Sequence, residues 1–173
     1  DYYRFPPNPR NRDYAMIEFK HGLYRVLLYQ GFYKPTVLMK SGVREMESGI
    51  NPDYPKIAWD PKGNRLAIIY QDRGQLKLMV YDLITKTRIH ENLPKDFQVI
   101  NSFQYMLDYN TLLLSAVKNG HSDSYTYNIG TFATEQITHD VYDDLDPSFV
   151  AFPGKSGIIF SSNRPTPYAK DAD

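Results

Sequence analysis

Gly120-His121-Ser122-Asp123-Ser124 comes nearest to a reactive constellation in this sequence, because a serine beside histidine and aspartate is the raw material of nucleophilic catalysis. The pentapeptide departs from a nucleophile elbow at its last position, serine where glycine is needed. It also falls between two predicted strands and not on a strand-to-helix turn. A polar inter-strand loop is the plainer account. The second candidate is acidic: Asp140, Asp143, Asp144 and Asp146 could offer carboxylate oxygens to calcium. Their spacing lacks the glycine-punctuated alternation of a dedicated loop, and aspartates also bond local amides at turns and strand entries. His21, His90, His121 and His139 stand singly, and His90-Glu91 is not continued by a second histidine, so the zinc-protease motif is absent. With no cysteine there is no thiolate catalyst, disulfide or zinc–thiolate site. Trp59 reads as packing core ahead of a ligand platform, and Arg164 as part of a strand-turn cap ahead of an anchor for a partner's carboxylate. The residues therefore predict no catalytic, cofactor or metal site.

What such residues must sit on is bounded by composition. At 173 residues the chain is long enough for a single domain with a real core. Its 20 basic and 20 acidic residues are interspersed and cancel, so no global field draws it to nucleic acid or an anionic membrane. No apolar run approaches the roughly 20 residues of a membrane-spanning helix. A chain opening on Asp1, without methionine or an apolar leader, fits a processed or excised piece. The 15 tyrosines, 12 prolines and 10 glycines favour short half-buried strands and many turns over helices.

Residues 1–12 carry Pro6, Pro7 and Pro9 and read as an extended lead-in, whose Tyr2, Tyr3 and Phe5 call for something to pack on. Strands are predicted at Tyr14–Phe19, Leu23–Tyr29 and Thr36–Met39, with Val43–Met46 as a fourth. Pro55 then leads into Ile57-Ala58-Trp59, the turn Asp60-Pro61-Lys62-Gly63, and a strand over Leu66–Tyr70. The pattern recurs. Ile57, Phe103 and Phe149 stand 46 residues apart, as do Leu66, Leu112 and Ile158, and Ile68, Leu114 and Phe160. A period in the mid-forties with four strands per unit is what a β-propeller blade requires, because radial stacking buries the two faces a lone sheet exposes. The expected fold is thus all-β, a propeller of four-stranded antiparallel blades with about three and a half present, at residues 13–49, 54–94, 99–139 and an incomplete 145–173. Propellers close with roughly four to eight blades, so the chain is expected to be part of a larger one.

Two stretches carry a resemblance to a known family. Pro55-Lys56-Ile57-Ala58-Trp59-Asp60-Pro61-Lys62-Gly63-Asn64 is similar to the TolB-type repeat, in which an apolar strand enters Ser-Pro-Asp-Gly-Lys. Asp146-Pro147-Ser148-Phe149 followed by Ile158-Ile159-Phe160-Ser161-Ser162-Asn163-Arg164 resembles the same repeat again, from its leading proline to an apolar strand ending in Ser-Asn-Arg. The middle copy departs, with Leu107-Asp108-Tyr109-Asn110 at the turn. The stretch from Ile137 to Phe149 resembles the version found in large envelope proteins of Bacteroidetes-type bacteria. The resemblance implies a periplasmic or outer-membrane-associated module without catalytic activity or cofactor, docking other envelope proteins or further blades, in an envelope or secretion assembly. The alternative it leaves open is the gating propeller of a prolyl-oligopeptidase-type serine peptidase whose catalytic domain is not in this chain. A sugar-processing propeller is the weakest reading, since it needs histidines and acids gathered on one face.

Overall fold

Three X-Gly dipeptides set the geometry of the sheets. His21-Gly22, Arg73-Gly74 and Asn119-Gly120 each place two consecutive residues at positive φ, between 53° and 80°. That is the type I′ turn, whose twist matches the right-handed twist of the strands it joins. The turns close β2 (Tyr14–Lys20) on β3 (Leu23–Tyr29), β6 (Arg65–Asp72) on β7 (Gln75–Asp82), and β10 (Thr111–Lys118) on β11 (His121–Asn128). The computed structural model describes residues 2–41 and 54–137, together with the short strands β13 (Phe149–Val150) and β14 (Ile158–Ile159).

Each hairpin gains an outer strand on both sides. β1 (Tyr2–Arg4) and β4 (Thr36–Lys40) flank the first, β5 (Lys56–Trp59) and β8 (Thr87–Asn92) the second, β9 (Phe97–Tyr105) and β12 (Thr134–Gln136) the third. The result is three four-stranded sheets in simple sequence order, plus the pair β13–β14. The described residues are all-β, with antiparallel pairing in each sheet.

The repeat seen in the sequence is also a repeat in hydrogen bonding. Leu66 faces Tyr81 in the second sheet and Leu112 faces Tyr127 in the third; Tyr81 faces Arg88 as Tyr127 faces Thr134, each pair 46 residues after its counterpart. The turn before the outer strand is copied too. Leu83 N donates to Asn64 O at 2.9 Å and Ile129 N to Asn110 O at 2.7 Å. Lys86 N donates to Asp82 O at 2.8 Å and Phe132 N to Asn128 O at 2.9 Å, with Lys86 and Phe132 both at positive φ. In the first sheet Tyr14 faces Tyr29, which precedes Leu66 facing Tyr81 by 52 residues. The six extra residues fall between Lys40 and Ile57, a span of 17 against the 11 from Asn92 to Phe103. In the last pair Phe149 faces Ile159, one residue short of the Phe160 that a strict 46-residue shift of Phe103 facing Leu114 requires.

The sequence reading of residues 1–12 as a lead-in needs correction. Tyr2–Arg4 is the first strand of the first sheet, with Tyr3 opposite Ile17, so Tyr14–Lys20 is its second strand. Three residues bounded by Pro6-Pro7 are too few to show an alternation, which is why the strand is silent in the sequence. The predicted strand Val43–Met46 lies outside the described residues, as does most of Asp140–Pro165.

The chain divides into two compact units, residues 1–57 with 62–92, and residues 58–61 with 93–173. In the first, Ala15, Ile17, Val26 and Leu28 are buried, as are Leu66, Ala67, Ile68, Ile69, Leu78 and Val80. The polyproline segment is pinned there: Asn8, 2% exposed, donates from Nδ2 to Gly63 O at 2.9 Å and accepts from Arg10 N at 2.9 Å. Gly63 sits at φ 73°, and a Cβ on it would lie 2.1 Å from Asn8 Oδ1. In the second unit Ile100, Tyr105, Leu112, Leu114, Ala116 and Tyr127 form the core, with Phe97 edge-on to Tyr125 at 5.0 Å.

Candidate functional site

The serine candidate does not assemble a catalytic group. Ser122 is exposed on β11, one residue past the strand's start and directly after a hairpin turn, with no helix following. Its Oγ accepts from Asn101 Nδ2 at 3.4 Å, and neighbouring Asp123 accepts from Gln136 Nε2 at 2.8 Å. His121 faces Lys118 across the hairpin. His21 lies in the first type I′ turn, and His90 lies exposed on outer strand β8 opposite Met79. His139, Asp140, Asp143, Asp144, Asp146 and Arg164 lie outside the described residues. Among the described residues no three of His, Cys, Asp and Glu gather to hold a metal. Trp59 is buried at the end of β5.

The first sheet differs from the other two at equivalent positions. The pleat places residues 14, 16, 18 and 20 on one face of the first sheet and residues 15, 17 and 19 on the other. The odd face is core. On the even face Tyr14, Met16 and Glu18 are only half-buried, and Tyr2 is 65% exposed. Tyr14 and Met16 correspond to Leu66 and Ile68, then to Leu112 and Leu114, all 0% exposed, while Glu18 corresponds to Tyr70, itself half-buried, and to the buried Ala116. At the positions of Tyr14 and Met16 this face is therefore sealed in the second and third sheets and partly open in the first, where Leu27 opposite Met16 stays buried.

The open face is chemically ordered. Arg4 lies 3.9 Å over the ring of Tyr14, and Tyr14 stacks on Tyr29 across the β2–β3 pair, centroids 5.1 Å apart and planes 11° from parallel. Four residues along, Glu18 accepts from Arg25 Nε at 2.7 Å and from Tyr2 OH at 3.3 Å, with Arg25 Nη2 at 2.6 Å. The hydrogen bond and charge of Arg25 hold the Glu18 carboxyl below the usual glutamate range, partly opposed by desolvation. The register puts these groups together: Tyr2 faces Glu18, Glu18 faces Arg25, and Arg4 faces Met16. Such a face offers flat aromatic area, a thioether and fixed charges in complementary pairs, which suits recognition of another protein surface. Sequence reasoning missed it. The signal was the loose alternation of Tyr14–Phe19, where polar and aromatic residues occupy the positions that hold leucine and isoleucine in the later copies.

No protein-family model and no curated protein matches the chain in sequence. Solved structures do resemble it. The crystal structure of TolB from Acinetobacter baumannii aligns with a TM-score of 0.60 and 13% identity, over 96% of this chain and 38% of that one. The isopeptidase AtxE2 in its apo form aligns at 0.56 and 14% identity, over 83% of this chain and 30% of that one. An oligogalacturonate lyase in complex with manganese aligns at 0.49 and 11% identity, over 95% and 47%. The likeness to TolB shows a TolB-like fold, and the chain spans well under half the length of TolB and of AtxE2. The fold agrees with the all-β propeller expectation; identities this low carry no activity across.

Proposed function

We propose that the chain is a non-catalytic protein-interaction module, part of a TolB-like β-propeller protein of the bacterial envelope, periplasmic or outer-membrane-associated. Its three four-stranded sheets are blades in this reading, and β13–β14 opens a fourth. The observation that carries it is the partly open face of the first sheet, where Tyr14 and Met16 stand half-buried at positions sealed in the other two. A four-stranded sheet of a propeller is buried on both faces, so this face is where a further blade or another envelope protein seats. The coverage of only 38% of the TolB chain supports the same reading. The cysteine-free sequence offers a direct test. A cysteine replacing Tyr29 should react quickly with a maleimide in this segment and slowly in the intact parent protein or with its partner bound. Equal reactivity in both would overturn the proposal.

A second reading has its own support in the likeness to the isopeptidase AtxE2, of which this chain spans 30%. There the chain would be the propeller domain gating a serine peptidase whose catalytic domain lies elsewhere in the parent. A fluorophosphonate probe separates the two, labelling a parent peptidase and leaving an interaction module unlabelled.

A further inference from the structure

Outer strands β4 and β8 are tied together near the start of each. Arg88 Nη2 donates to Val37 O at 3.0 Å, within the first unit. Val37 lies two residues past Pro35, where the β3–β4 turn ends, and Arg88 two residues past Lys86, where the β7–β8 turn ends. The bond therefore sets the two turns side by side on one flank of the unit.

Both turns carry large apolar side chains at their tips. Phe32 is 108% exposed, Tyr33 82% and Ile84 69%. An exposure above that of an extended chain means a side chain standing proud of its surroundings. Both turns are also fixed: Tyr33 N donates to Gln30 O at 3.2 Å, and Asp82 Oδ1 accepts from Ile84 N at 2.9 Å and Thr85 N at 3.0 Å. The turns carry Lys34, Lys86 and Arg88, in a chain whose total charge is zero, and their one carboxylate, Asp82, is turned inward as the cap of its own turn and paired with Arg65 at 3.6 Å. Buried apolar groups stabilise a fold, so three held outward on rigid turns serve something outside it.

We propose that these paired turns dock the protein onto an anionic lipid bilayer surface. A helical partner is recognised by a groove that encloses its apolar face; here the apolar groups project, as a wedge does. Phenylalanine, tyrosine and isoleucine enter the boundary between headgroups and acyl chains, tyrosine keeps its hydroxyl at headgroup level, and the lysines meet lipid phosphate. This surface is distinct from the open face of the first sheet and does not depend on what that face binds.

The test is co-sedimentation with vesicles of phosphatidylcholine alone and of phosphatidylcholine with phosphatidylglycerol. Wild type should pellet with the mixed vesicles and be released by salt. Loss of Phe32 from the acyl boundary, as Phe32→Ser, should weaken partitioning about tenfold or more. Each lysine near an anionic surface contributes roughly fivefold, so Lys34→Glu with Lys86→Glu should weaken it at least about 25-fold. All three side chains are exposed and circular dichroism should be unchanged; Lys40→Glu on the same outer strand, as a second charge variant, should leave most binding intact. Wild type remaining in the supernatant with the mixed vesicles, Phe32→Ser pelleting like wild type, or capture of an acidic peptide by the turns without lipid association would each overturn the proposal.

Discussion

Replacing Gly63 with alanine tests how the first sheet is joined to the second. Two costs arise at this position. The backbone at φ 73° is left-handed, which costs a residue with a Cβ about 1–2 kcal/mol. The new methyl would also sit 2.1 Å from Asn8 Oδ1, 2.8 Å from its Cγ and 3.0 Å from Arg10 Cβ. Asn8 must then leave its buried seat and give up its bonds to Gly63 O and Arg10 N, each worth about 1 kcal/mol net. The expected loss is about 3 kcal/mol, or roughly 6–12 °C in Tm for a chain of this size. Gly74→Ala is the control, because Gly74 has φ 80° and nothing within 4 Å of its would-be Cβ, leaving only the backbone cost of about 1–2 kcal/mol. Equilibrium urea unfolding of wild type, Gly63→Ala, Gly74→Ala, Asn8→Ala and the Asn8→Ala/Gly63→Ala pair gives the cycle. Coupling of about 1–2 kcal/mol between positions 8 and 63 is expected. Should Gly63→Ala cost no more than Gly74→Ala, or cost the same with and without Asn8, the latch has no energetic role.

Met16→Ala should cost well under half of the about 2–5 kcal/mol expected for Ile68→Ala at the sealed equivalent, and equal losses by denaturant titration would show the position to be covered in this chain. Glu18 has its folded-state pKa lowered, chiefly by Arg25, so its contribution is present above the ordinary glutamate range and lost as pH falls through the lowered value; Glu18→Gln should flatten that acid limb of the stability curve. Asp82 is lowered by the Thr85 and Ile84 amides and by Arg65, so carboxyl NMR titration should find its midpoint below that of an ordinary aspartate, whereas an unshifted midpoint would mean the turn is not capped as described. Asp82→Asn copies the third sheet's Asn128 and should keep the turn at neutral pH while removing that titration. Ser122→Ala should leave any esterase or peptidase turnover of the purified chain at its starting level, and a drop would restore the nucleophile reading.

Much of the fold was legible because its determinants are local. The X-Gly dipeptides mark two-residue hairpins, and the 46-residue spacing of Leu66 and Leu112 reappears as the pairing of both with tyrosine. The first sheet was harder to read for two physical reasons. Its first strand is three residues long beside two prolines, and six extra residues after Lys40 break the period. The open face was illegible for another reason. Tyr14, Met16 and Glu18 fit a half-buried strand whether or not anything covers it, and only burial at Leu66 and Ile68 shows what the position normally demands. The pinning of Asn8 to Gly63 joins residues 55 apart, a distance no local pattern spans.

The type I′ hairpins also have a kinetic consequence. Each central pair closes through a two-residue loop, so its contacts lie close in sequence and the loop-closure entropy to be overcome is small. Hairpins of this kind form in about 1–10 μs, while ribosomes add roughly 5–20 residues per second. Every central hairpin therefore has time to close before the strands of the next sheet emerge during synthesis. The slow events are then docking events: Asn8 reaching Gly63 and Arg88 reaching Val37. Synthesis delivers a row of finished hairpins, and maturation consists of pressing them together.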